Sequence, residues 1–169
     1  LEVGAGTGAT TAALLPLLQG HDGSHYQFTD IAPAFLTTAQ RTFSDQPGIE
    51  FTRFDLEQPL ATQGLTPGSF DIVVAANVVH ATADLRRSLT HLRALLAPSG
   101  LLALVESTTA QRWWDLVFGL TEGWWRFTDT DLRPHHPLLP AETWRSLLTE
   151  QGFAATVAVG IDREARQSL

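Results

Sequence analysis

The chain begins Leu1-Glu2-Val3-Gly4-Ala5-Gly6-Thr7-Gly8-Ala9, which predicts a strand, a glycine-rich turn and the start of a helix. Glycines let the backbone turn sharply, and they let a ligand approach the main-chain N–H groups of the turn. The spacing of Gly4, Gly6 and Ala9 also satisfies the looser dinucleotide fingerprint G-x-G-x-x-G/A. The loop by itself therefore leaves open a dinucleotide, another nucleotide-like cofactor, or a tight turn that binds no ligand.

The rest of the chain alternates short apolar runs with helix-like segments. The apolar runs have the length and composition of β-strands and cover residues 26–30, 49–55, 70–75 and 101–106. The amphipathic segments predict helices over residues 10–18, 34–43, 85–96 and 141–151. Pro16 should kink or shorten the first of these helices, because proline lacks the N–H that a helix interior uses. This order of elements predicts an α/β fold with a doubly wound, mostly parallel sheet.

After residue 106 the composition changes, and aromatic residues crowd into a short segment. Trp113, Trp114, Trp124 and Trp125 predict a cap that packs on the sheet after the fifth strand, or an apolar wall for a substrate. A strand is predicted over residues 154–159 and the start of another over 167–169. Because the chain lacks methionine and opens inside a strand, we expect one domain, residues 1–169, cut at both ends from a longer polypeptide.

Composition argues against several classes of function. The 169 residues include 11 Lys+Arg, all of them arginine, and 18 Asp+Glu, which gives a net charge of −7. A net-negative chain without a basic run argues against a nucleic-acid partner, and no apolar stretch reaches the ~18–20 residues that span a membrane. The lack of cysteine removes disulfides and thiolate ligands. His135 and His136 have no acid or cysteine at ligand spacing, so no metal site is predicted.

Acidic side chains are predicted in or at the ends of successive strands. Glu2 lies in the first strand, and Asp30 and Asp55 end the second and third. A carboxylate after the second strand can accept hydrogen bonds from the ribose hydroxyls of a nucleotide cofactor, and Asp55 is placed to accept one from an adenine amino group. Each acid alone fits a helix cap or a solvated loop equally well. Together they favour a cationic cofactor, S-adenosylmethionine, over NAD, whose two phosphates need donors and positive charge.

Several motifs together resemble the C-methyltransferase domain of polyketide synthases, and the similarity covers nearly the whole chain. They are Leu1-Glu2-Val3-Gly4-Ala5-Gly6-Thr7-Gly8, Phe28-Thr29-Asp30-Ile31, Asn77-Val78-Val79-His80-Ala81-Thr82 and Phe118-Gly119-Leu120-Thr121-Glu122-Gly123-Trp124-Trp125. The first motif is shared by most class I methyltransferases and specifies only the cofactor, whereas the last two are much more specific. Ala9 is one departure, because the family usually has glycine there.

The resemblance implies a Rossmann-like class I methyltransferase fold with S-adenosylmethionine as the cofactor. The residues that would bind the cofactor are Glu2, Gly4, Ala5, Gly6, Gly8, Asp30, Ile31, Asp55, Leu56 and Asn77. It also implies a cytoplasmic multidomain synthase in which an acyl carrier protein presents a β-ketoacyl thioester, and a methyl group is transferred to the α-carbon of that substrate. The partners would be the carrier protein and the neighbouring synthase domains.

His80 and Glu106 are the catalytic residues that the resemblance implies. His80 follows the fourth strand and Glu106 ends the fifth, so the two side chains converge at the carboxyl edge of the sheet if those strands are neighbours. A carboxylate beside an imidazole fixes its tautomer and raises its basicity. The residues alone leave open a structural loop histidine, and Glu122 is the alternative partner of His80.

Three other functions stay open at this point. A methyltransferase that acts on oxygen or nitrogen of a small molecule would share the glycine loop but would not need the His80–Glu106 pair. A nicotinamide-dependent oxidoreductase would bind NAD(P) at the same loop. A non-catalytic, decayed methyltransferase would be expected to lose the glycines or His80, and both are present. Ala9 is the one feature that favours decay.

Overall fold

A computed structural model describes residues 1–21 and 23–160 of the chain. Its strands are β1 Glu2–Val3, β2 Tyr26–Asp30, β3 Ile49–Arg53, β4 Phe70–Ala76 and β5 Leu96–Val105. Its α-helices are α1 Ala9–Leu18, α2 Pro33–Thr42, α3 Leu85–Leu95, α4 Arg112–Val117 and α5 Ala141–Glu150. Short 3-10 turns span Leu60–Thr62 and Val79–Ala81.

The five strands form one sheet in the order β3-β2-β1-β4-β5, and every neighbouring pair is parallel. From β1 the chain winds outward through β2 to β3, then crosses back to β4 beside β1 and continues to β5. The carboxyl ends of β1 and β4 therefore flank the point where the winding reverses, which is where open α/β sheets bind ligands. The predicted fold class is confirmed, and the glycine turn after β1 lies at this point.

Helix α3 shows how local sequence and core packing agree in this fold. The Asp84 side chain accepts a hydrogen bond from the Arg87 N–H at 3.1 Å and caps the first turn. Leu85, Leu89 and Leu92 recur on one face of the helix and are completely buried. They share one hydrophobic core with the inward side chains of β4. This packing fixes the start of α3, and with it the short turn that joins β4 to α3.

Two predictions about strands need correction. Residues 154–159 form no strand, and Val157 and Val159 are 87% and 93% exposed. Their apolar alternation is typical of a strand, but a strand needs a neighbour for its backbone hydrogen bonds, and none of the described strands pairs with this segment. The fifth strand begins at Leu96 rather than at residue 101, because residues 97–100 form a bulge between two ladder pairs with β4.

The remaining boundaries differ little from the prediction. The third strand ends at Arg53, so Asp55 lies in the loop that follows it. Helix α1 contains Pro16 and ends two residues later at Leu18. The strand predicted to start at residues 167–169 lies outside the described residues. None of the helices that the structure describes is long and apolar enough to cross a lipid bilayer.

Candidate active site

The glycine turn after β1 packs directly against the turn after β4. Gly4 has a φ of +63°, and a Cβ at this position would lie 2.3 Å from Cγ2 of Val78. Gly6 has a φ of +55°, but a Cβ there would meet only the Gly4 carbonyl oxygen, at 4.0 Å. Gly4 is therefore needed for contact between the two turns, whereas Gly6 leaves open space next to the backbone, as a ligand site requires. Gly8 precedes the first residue of α1.

Asp30 holds the glycine turn in place. Its Oδ2 accepts a hydrogen bond from the Gly6 N–H at 2.9 Å, and its Oδ1 accepts one from the Ala32 N–H at 2.8 Å. The residue is 5% exposed. Each carboxylate oxygen has a second lone pair, so these two bonds leave capacity for the ribose hydroxyls. The role of Asp30 in cofactor binding stays a prediction.

Glu2 lies deeper and connects three elements. Its Oε2 accepts hydrogen bonds from the Thr11 hydroxyl in α1 at 2.5 Å and from the Tyr26 hydroxyl in β2 at 2.6 Å. The residue is 1% exposed, and this burial raises the pKa of its carboxyl group. The observed contacts therefore give Glu2 a structural role at the root of the glycine turn. Its predicted contact with the cofactor is untested.

The loop after β3 is held by a side-chain amide. Gln63 Oε1 accepts a hydrogen bond from the Asp55 N–H at 2.7 Å, and Gln63 Nε2 donates one to the Asp55 carbonyl oxygen at 2.9 Å. The Asp55 carboxylate accepts the Glu57 N–H at 2.9 Å and is half-buried. Leu56 is buried in the core, and its carbonyl oxygen lies 2.8 Å from His91 Nδ1, so its predicted contact with the cofactor is untested. The amide thus presents the predicted adenine-binding residues in one conformation.

The other predicted cofactor residues line the same edge of the sheet. Ile31 directly follows β2 and is 49% exposed. Asn77 directly follows β4, has a φ of +52° and donates its N–H to the Val105 carbonyl oxygen at 2.7 Å. Ala5 donates its N–H to the Thr29 carbonyl oxygen at 2.9 Å, which ties the glycine turn to β2. Their contacts with a cofactor stay predictions.

His80 and Glu106 form a buried pair at the carboxyl ends of β4 and β5. His80 Nδ1 lies 2.6 Å from Glu106 Oε2, and their side chains are 8% and 3% exposed. Glu106 Oε1 also accepts the Val79 N–H at 2.8 Å. Because an ionised carboxylate can only accept, Nδ1 carries the hydrogen, and Nε2 is the ring nitrogen left to take a proton. The arrangement is that of a general base with its orienting carboxylate.

The structure distinguishes between Glu106 and Glu122, the two carboxylates predicted as alternative partners of His80. Glu106 bonds to the imidazole directly. Glu122 lies in an exposed turn of the aromatic segment. The expectation that the fourth and fifth strands are neighbours is also correct, since β4 and β5 pair along their length. The geometry therefore assigns the pairing to Glu106.

The aromatic segment packs over His80 and also reaches the surface. Trp124 is 5% exposed, and its ring centroid lies 5.6 Å from that of His80 in an edge-on arrangement. The Trp124 Nε1–H donates to the Asp115 carboxylate at 3.1 Å, and His136 Nε2 lies at the same distance from that carboxylate. Trp113 is 57% exposed. Both predicted roles, a cap and an apolar wall, are therefore compatible with this segment.

Sequence reasoning missed the buried arginine behind the His80 turn. Arg133 is completely buried and pairs with Asp129, with Nε 2.6 Å from Oδ1. It donates to the carbonyl oxygens of His80 and Thr82, both at 2.8 Å. The only signal in the sequence was an aspartate four residues before an arginine, which is common on protein surfaces and gives no hint of burial.

No group of three or more histidine or acidic side chains in the described residues is arranged to hold a metal ion. His91 instead makes a structural contact, with its Nδ1 2.8 Å from the Leu56 carbonyl oxygen. His136 likewise accepts the Leu138 N–H at 3.1 Å through Nδ1. The contacts of His91 and His136 therefore hold the backbone of neighbouring loops.

Comparison with known proteins supplies the family. A family model described as a methyltransferase domain matches residues 1–102. The chain belongs to this family. The match covers the glycine turn, the acids that follow β2 and β3, and His80, so the site described above lies mostly within the matched part of the methyltransferase domain.

The relatives of this methyltransferase domain include whole synthases and a separate methyltransferase. The chain is 46% identical over 161 residues to polyketide synthase ThaQ of Burkholderia thailandensis, and 40% identical over 168 residues to methyltransferase calH of Penicillium decumbens. These alignments cover 93% and 97% of this chain, but 8% and 46% of the two relatives. The chain therefore spans less than half the length of either protein.

Solved structures agree with the relatives. The CurJ carbon methyltransferase superimposes with a TM-score of 0.88 at 44% identity, over 96% of this chain and 44% of that one. The trans-methyltransferase CalH, in complex with SAH, gives a TM-score of 0.82 at 37% identity, over 90% of this chain and 43% of that one. The resemblance to polyketide synthase C-methyltransferase domains and the class I methyltransferase fold are thus confirmed.

Proposed function

We propose that this domain transfers a methyl group from S-adenosylmethionine to the α-carbon of a β-ketoacyl thioester carried by an acyl carrier protein. The observation that carries the proposal is the His80 Nδ1–Glu106 Oε2 contact of 2.6 Å, beside the point where the winding of the sheet reverses. A methyltransferase acting on oxygen or nitrogen attacks through a lone pair of that atom and would not need to break a C–H bond first. The names of the relatives, polyketide synthases and carbon methyltransferases, support the same reaction.

The residues at the glycine turn fit this cofactor in shape and charge. Gly6 leaves open space at the turn, and the Asp30 and Asp55 carboxylates lie at the ends of the two strands beyond it. Carboxylates suit a ligand that carries a sulfonium and an ammonium better than one that carries a pyrophosphate. Gly4, Ala5, Gly6 and Gly8 would hold the cofactor from the β1 side. The cofactor supplies a methyl group made electrophilic by the sulfonium.

His80 acts as the general base in this proposal. A carbon between a ketone and a thioester is acidic enough for an imidazole to remove its proton. The electron pair of the broken C–H bond would then form the bond to the methyl carbon, while the methyl–sulfur bond breaks and its electron pair stays on the sulfur as a neutral thioether. Nε2 of His80 takes the proton, while Glu106 holds Nδ1–H and balances the charge of the imidazolium. A well-placed base contributes about 10²–10⁴-fold, and alignment of the reactants contributes more.

The aromatic segment supplies a surface for the acyl chain. Trp125 is 47% exposed, and its ring centroid lies 6.4 Å from that of Trp124, the ring that packs on His80. Trp113 and Leu116 in the same segment are 57% and 73% exposed. Apolar side chains at this position suit an acyl substrate and exclude water from the base. The carrier protein and neighbouring domains of a synthase are the partners that the synthase relatives suggest.

Replacement of His80 tests the proposal. The intact protein and its His80→Ala variant are incubated with S-adenosylmethionine and a β-ketoacyl carrier protein, and the product is measured by mass spectrometry. We expect one added methyl group with the native protein, and loss of transfer with unchanged cofactor binding in the variant. His135→Ala, at an exposed loop position, is the matched control. Near-native turnover by His80→Ala would exclude His80 as the base.

A further inference from the structure

The turn that carries His80 is held by one buried guanidinium. Arg133 Nη1 donates to the His80 carbonyl oxygen at 2.8 Å, and Nη2 donates to the carbonyl oxygens of Thr82 at 2.8 Å and Ala83 at 3.1 Å. A 3-10 turn of three residues has few hydrogen bonds of its own. The carbonyl groups of His80 and Thr82 are therefore held by a side chain that lies 53 positions further along the chain from His80, and the Ala83 carbonyl oxygen also accepts the Thr128 N–H at 2.8 Å.

The same arginine is part of a closed network. Its Nε lies 2.6 Å from Asp129 Oδ1, and Asp129 Oδ2 accepts the Leu85 N–H at 2.9 Å at the start of α3. The Phe127 ring covers the guanidinium carbon, 5.1 Å from the ring centroid. Arg133 is completely buried. Burying an ion pair costs desolvation energy that its attraction barely offsets, so a role in fixing local geometry accounts for the pair better than stability does.

Hydrogen bonds hold the His80 turn through both its N–H groups and its carbonyl groups. On the N–H side of the turn, Glu106 Oε1 accepts the Val79 backbone N–H at 2.8 Å and lies 3.4 Å from the backbone nitrogen of His80. On the carbonyl side, Arg133 holds His80. Because Glu106 also bonds to the imidazole, any rotation of the turn would break the Nδ1–Oε2 contact. The position of the ring thus depends on the arginine, although the arginine does not touch it.

We propose that Arg133, paired with Asp129, is a positioning residue that sets the orientation of the His80 imidazole for proton removal. The proposal rests on the function proposed above. Arg133 acts on turnover rather than on cofactor binding, because its contacts lie on the His80 side of the crevice and not at the glycine turn. A displacement of about 1 Å in a reacting group can cost 10²-fold in rate, which sets the scale of the expected effect.

The test uses the intact protein with two variants. In Arg133→Met/Asp129→Asn both charges are removed together, so that no unpaired charge is left buried, and the amide oxygen of the new side chain can still accept the Leu85 N–H. In Arg133→Lys the charge stays, but an ammonium cannot hold three carbonyl groups in the planar geometry of a guanidinium. Glu142→Gln/Arg145→Met, which removes an exposed ion pair in α5, is the matched control.

Three measurements separate positioning from general structure: kcat and KM for methyl transfer, the Kd of S-adenosylmethionine, and the ¹⁵N chemical shifts of the His80 ring. We expect kcat to fall by about 10–100-fold, Kd to stay within about twofold, and the single Nδ1–H tautomer to become a mixture. If the double variant does not fold, the same measurements on Arg133→Lys test the proposal, and we expect a smaller fall in kcat than for the double variant.

Two outcomes would overturn the proposal. One is a folded variant, either the double variant or Arg133→Lys, with native kcat and native ring shifts. The other is a loss of cofactor affinity as large as the loss of kcat, which would mean that the whole site had been disturbed. The ring shifts also separate this proposal from the proposed function. If His80→Ala keeps its activity, the assignment of His80 as the general base is wrong. A change of the His80 tautomer on replacing Arg133 would still show that the arginine orients the ring.

Discussion

Carboxylates at the carboxyl edge of the sheet accept hydrogen bonds from the backbone N–H groups of neighbouring turns. Asp30 holds Gly6, Glu106 holds Val79, and Glu57 Oε1 accepts the Ala83 N–H at 2.7 Å. An ionised carboxylate has two oxygens and about four acceptor sites, so one oxygen can fix a turn while the rest of the group faces a functional partner. At the residue scale, these acids therefore hold the loops, and the roles of Asp30 and Glu106 in binding and catalysis stay predictions.

Glu106 and Glu122 give a direct test of the carboxylate that supports the base. In Glu106→Gln the amide keeps one acceptor oxygen, but its NH₂ only donates, so either the Nδ1–H or the Val79 N–H loses its acceptor. We expect kcat for methyl transfer to fall about 10²-fold, with cofactor affinity retained. Glu122→Gln, at an exposed position, should stay within about twofold of native. Rate measurements on both variants, side by side, check this. Equal losses, or a larger loss for Glu122→Gln, would contradict the assignment to Glu106.

Gly4 tests the contact between the two turns. In Gly4→Ala the new Cβ meets Val78 at 2.3 Å and the φ is +63°, so overpacking of about 1–3 kcal/mol adds to a conformational cost of about 1–2 kcal/mol. Gly68→Ala has a similar φ, +71°, with open space around it, and should show only the conformational cost. The measurement is the free energy of unfolding by denaturant.

A second change confirms the cause. Gly4→Ala/Val78→Ala should recover part of the lost stability, because it removes the Cγ2 atom at 2.3 Å and leaves only the Cβ atom at 2.9 Å. Gly4→Ala should also weaken binding of S-adenosylmethionine, measured by calorimetry, whereas Gly68→Ala should not. If Gly4→Ala and Gly68→Ala lower the free energy of unfolding by the same amount, the contact with Val78 adds nothing to the cost of Gly4→Ala.

At the scale of elements, sequence predicts those whose pattern and packing agree. The β4 run and the leucine stripe of α3 were predictable because both bury their apolar residues in the same core. The segment at 154–159 was not, because alternation of apolar residues says nothing about whether a partner strand is available. The early start of β5 at Leu96 depends on a bulge in its pairing with Phe70 and Ile72, which is a property of two strands together.

The candidate site divides in the same way. His80 and Glu106 were predictable because each follows a recognisable strand, and parallel strands end at one edge of a sheet. Arg133 and Gln63 were not, because each acts on the backbone of a distant or irregular segment: Arg133 on His80 and Gln63 on Asp55. Backbone hydrogen-bond groups are the same in every residue, so the sequence carries no mark of which side chain will satisfy them.

Pro16 in α1 allows a prediction at this scale. Proline removes the N–H that would bond to the carbonyl group four residues earlier, and it is exposed near the end of the helix. Pro16→Ala should raise the free energy of unfolding by about 1 kcal/mol, after the greater freedom of the unfolded chain is subtracted. Pro47→Ala, in a turn outside the helices, is the control and should give no gain. A lower melting temperature for Pro16→Ala than for the native protein would show that Pro16 stabilises the folded protein.

At the scale of the whole molecule, Glu2 joins the centre of the sheet to the helix layer. It lies in β1, the middle strand, and it accepts hydrogen bonds from Thr11 in α1 and Tyr26 in β2. A molecule with a net charge of −7 thus keeps the Glu2 carboxyl group almost fully inside. Burial disfavours its charged form, and the two hydroxyl donors compensate only in part, so the pKa of Glu2 is raised above the ordinary value of 4.5.

This raised pKa predicts a pH dependence of stability. Below pH 4.5 Glu2 is protonated in the folded and unfolded chains alike, and its contribution to folding is fully present. As the pH rises through the folded pKa, the unfolded chain loses its proton more readily than the folded one, so stability is lost. Glu2→Gln cannot titrate, while its carbonyl oxygen can still accept from Thr11 and Tyr26. The free energy of unfolding of Glu2→Gln minus that of the native protein should therefore increase with pH above 4.5.

Urea unfolding of both proteins across that pH range measures the difference, and Glu50→Gln, at an exposed site in β3, controls for the loss of a carboxylate as such. A difference that stays flat, or falls as pH rises, would mean that the hydrogen bonds from Thr11 and Tyr26 outweigh burial and keep Glu2 ionised in the folded protein. The sign of this slope therefore shows whether burial or the two hydroxyl donors dominate the pKa of Glu2.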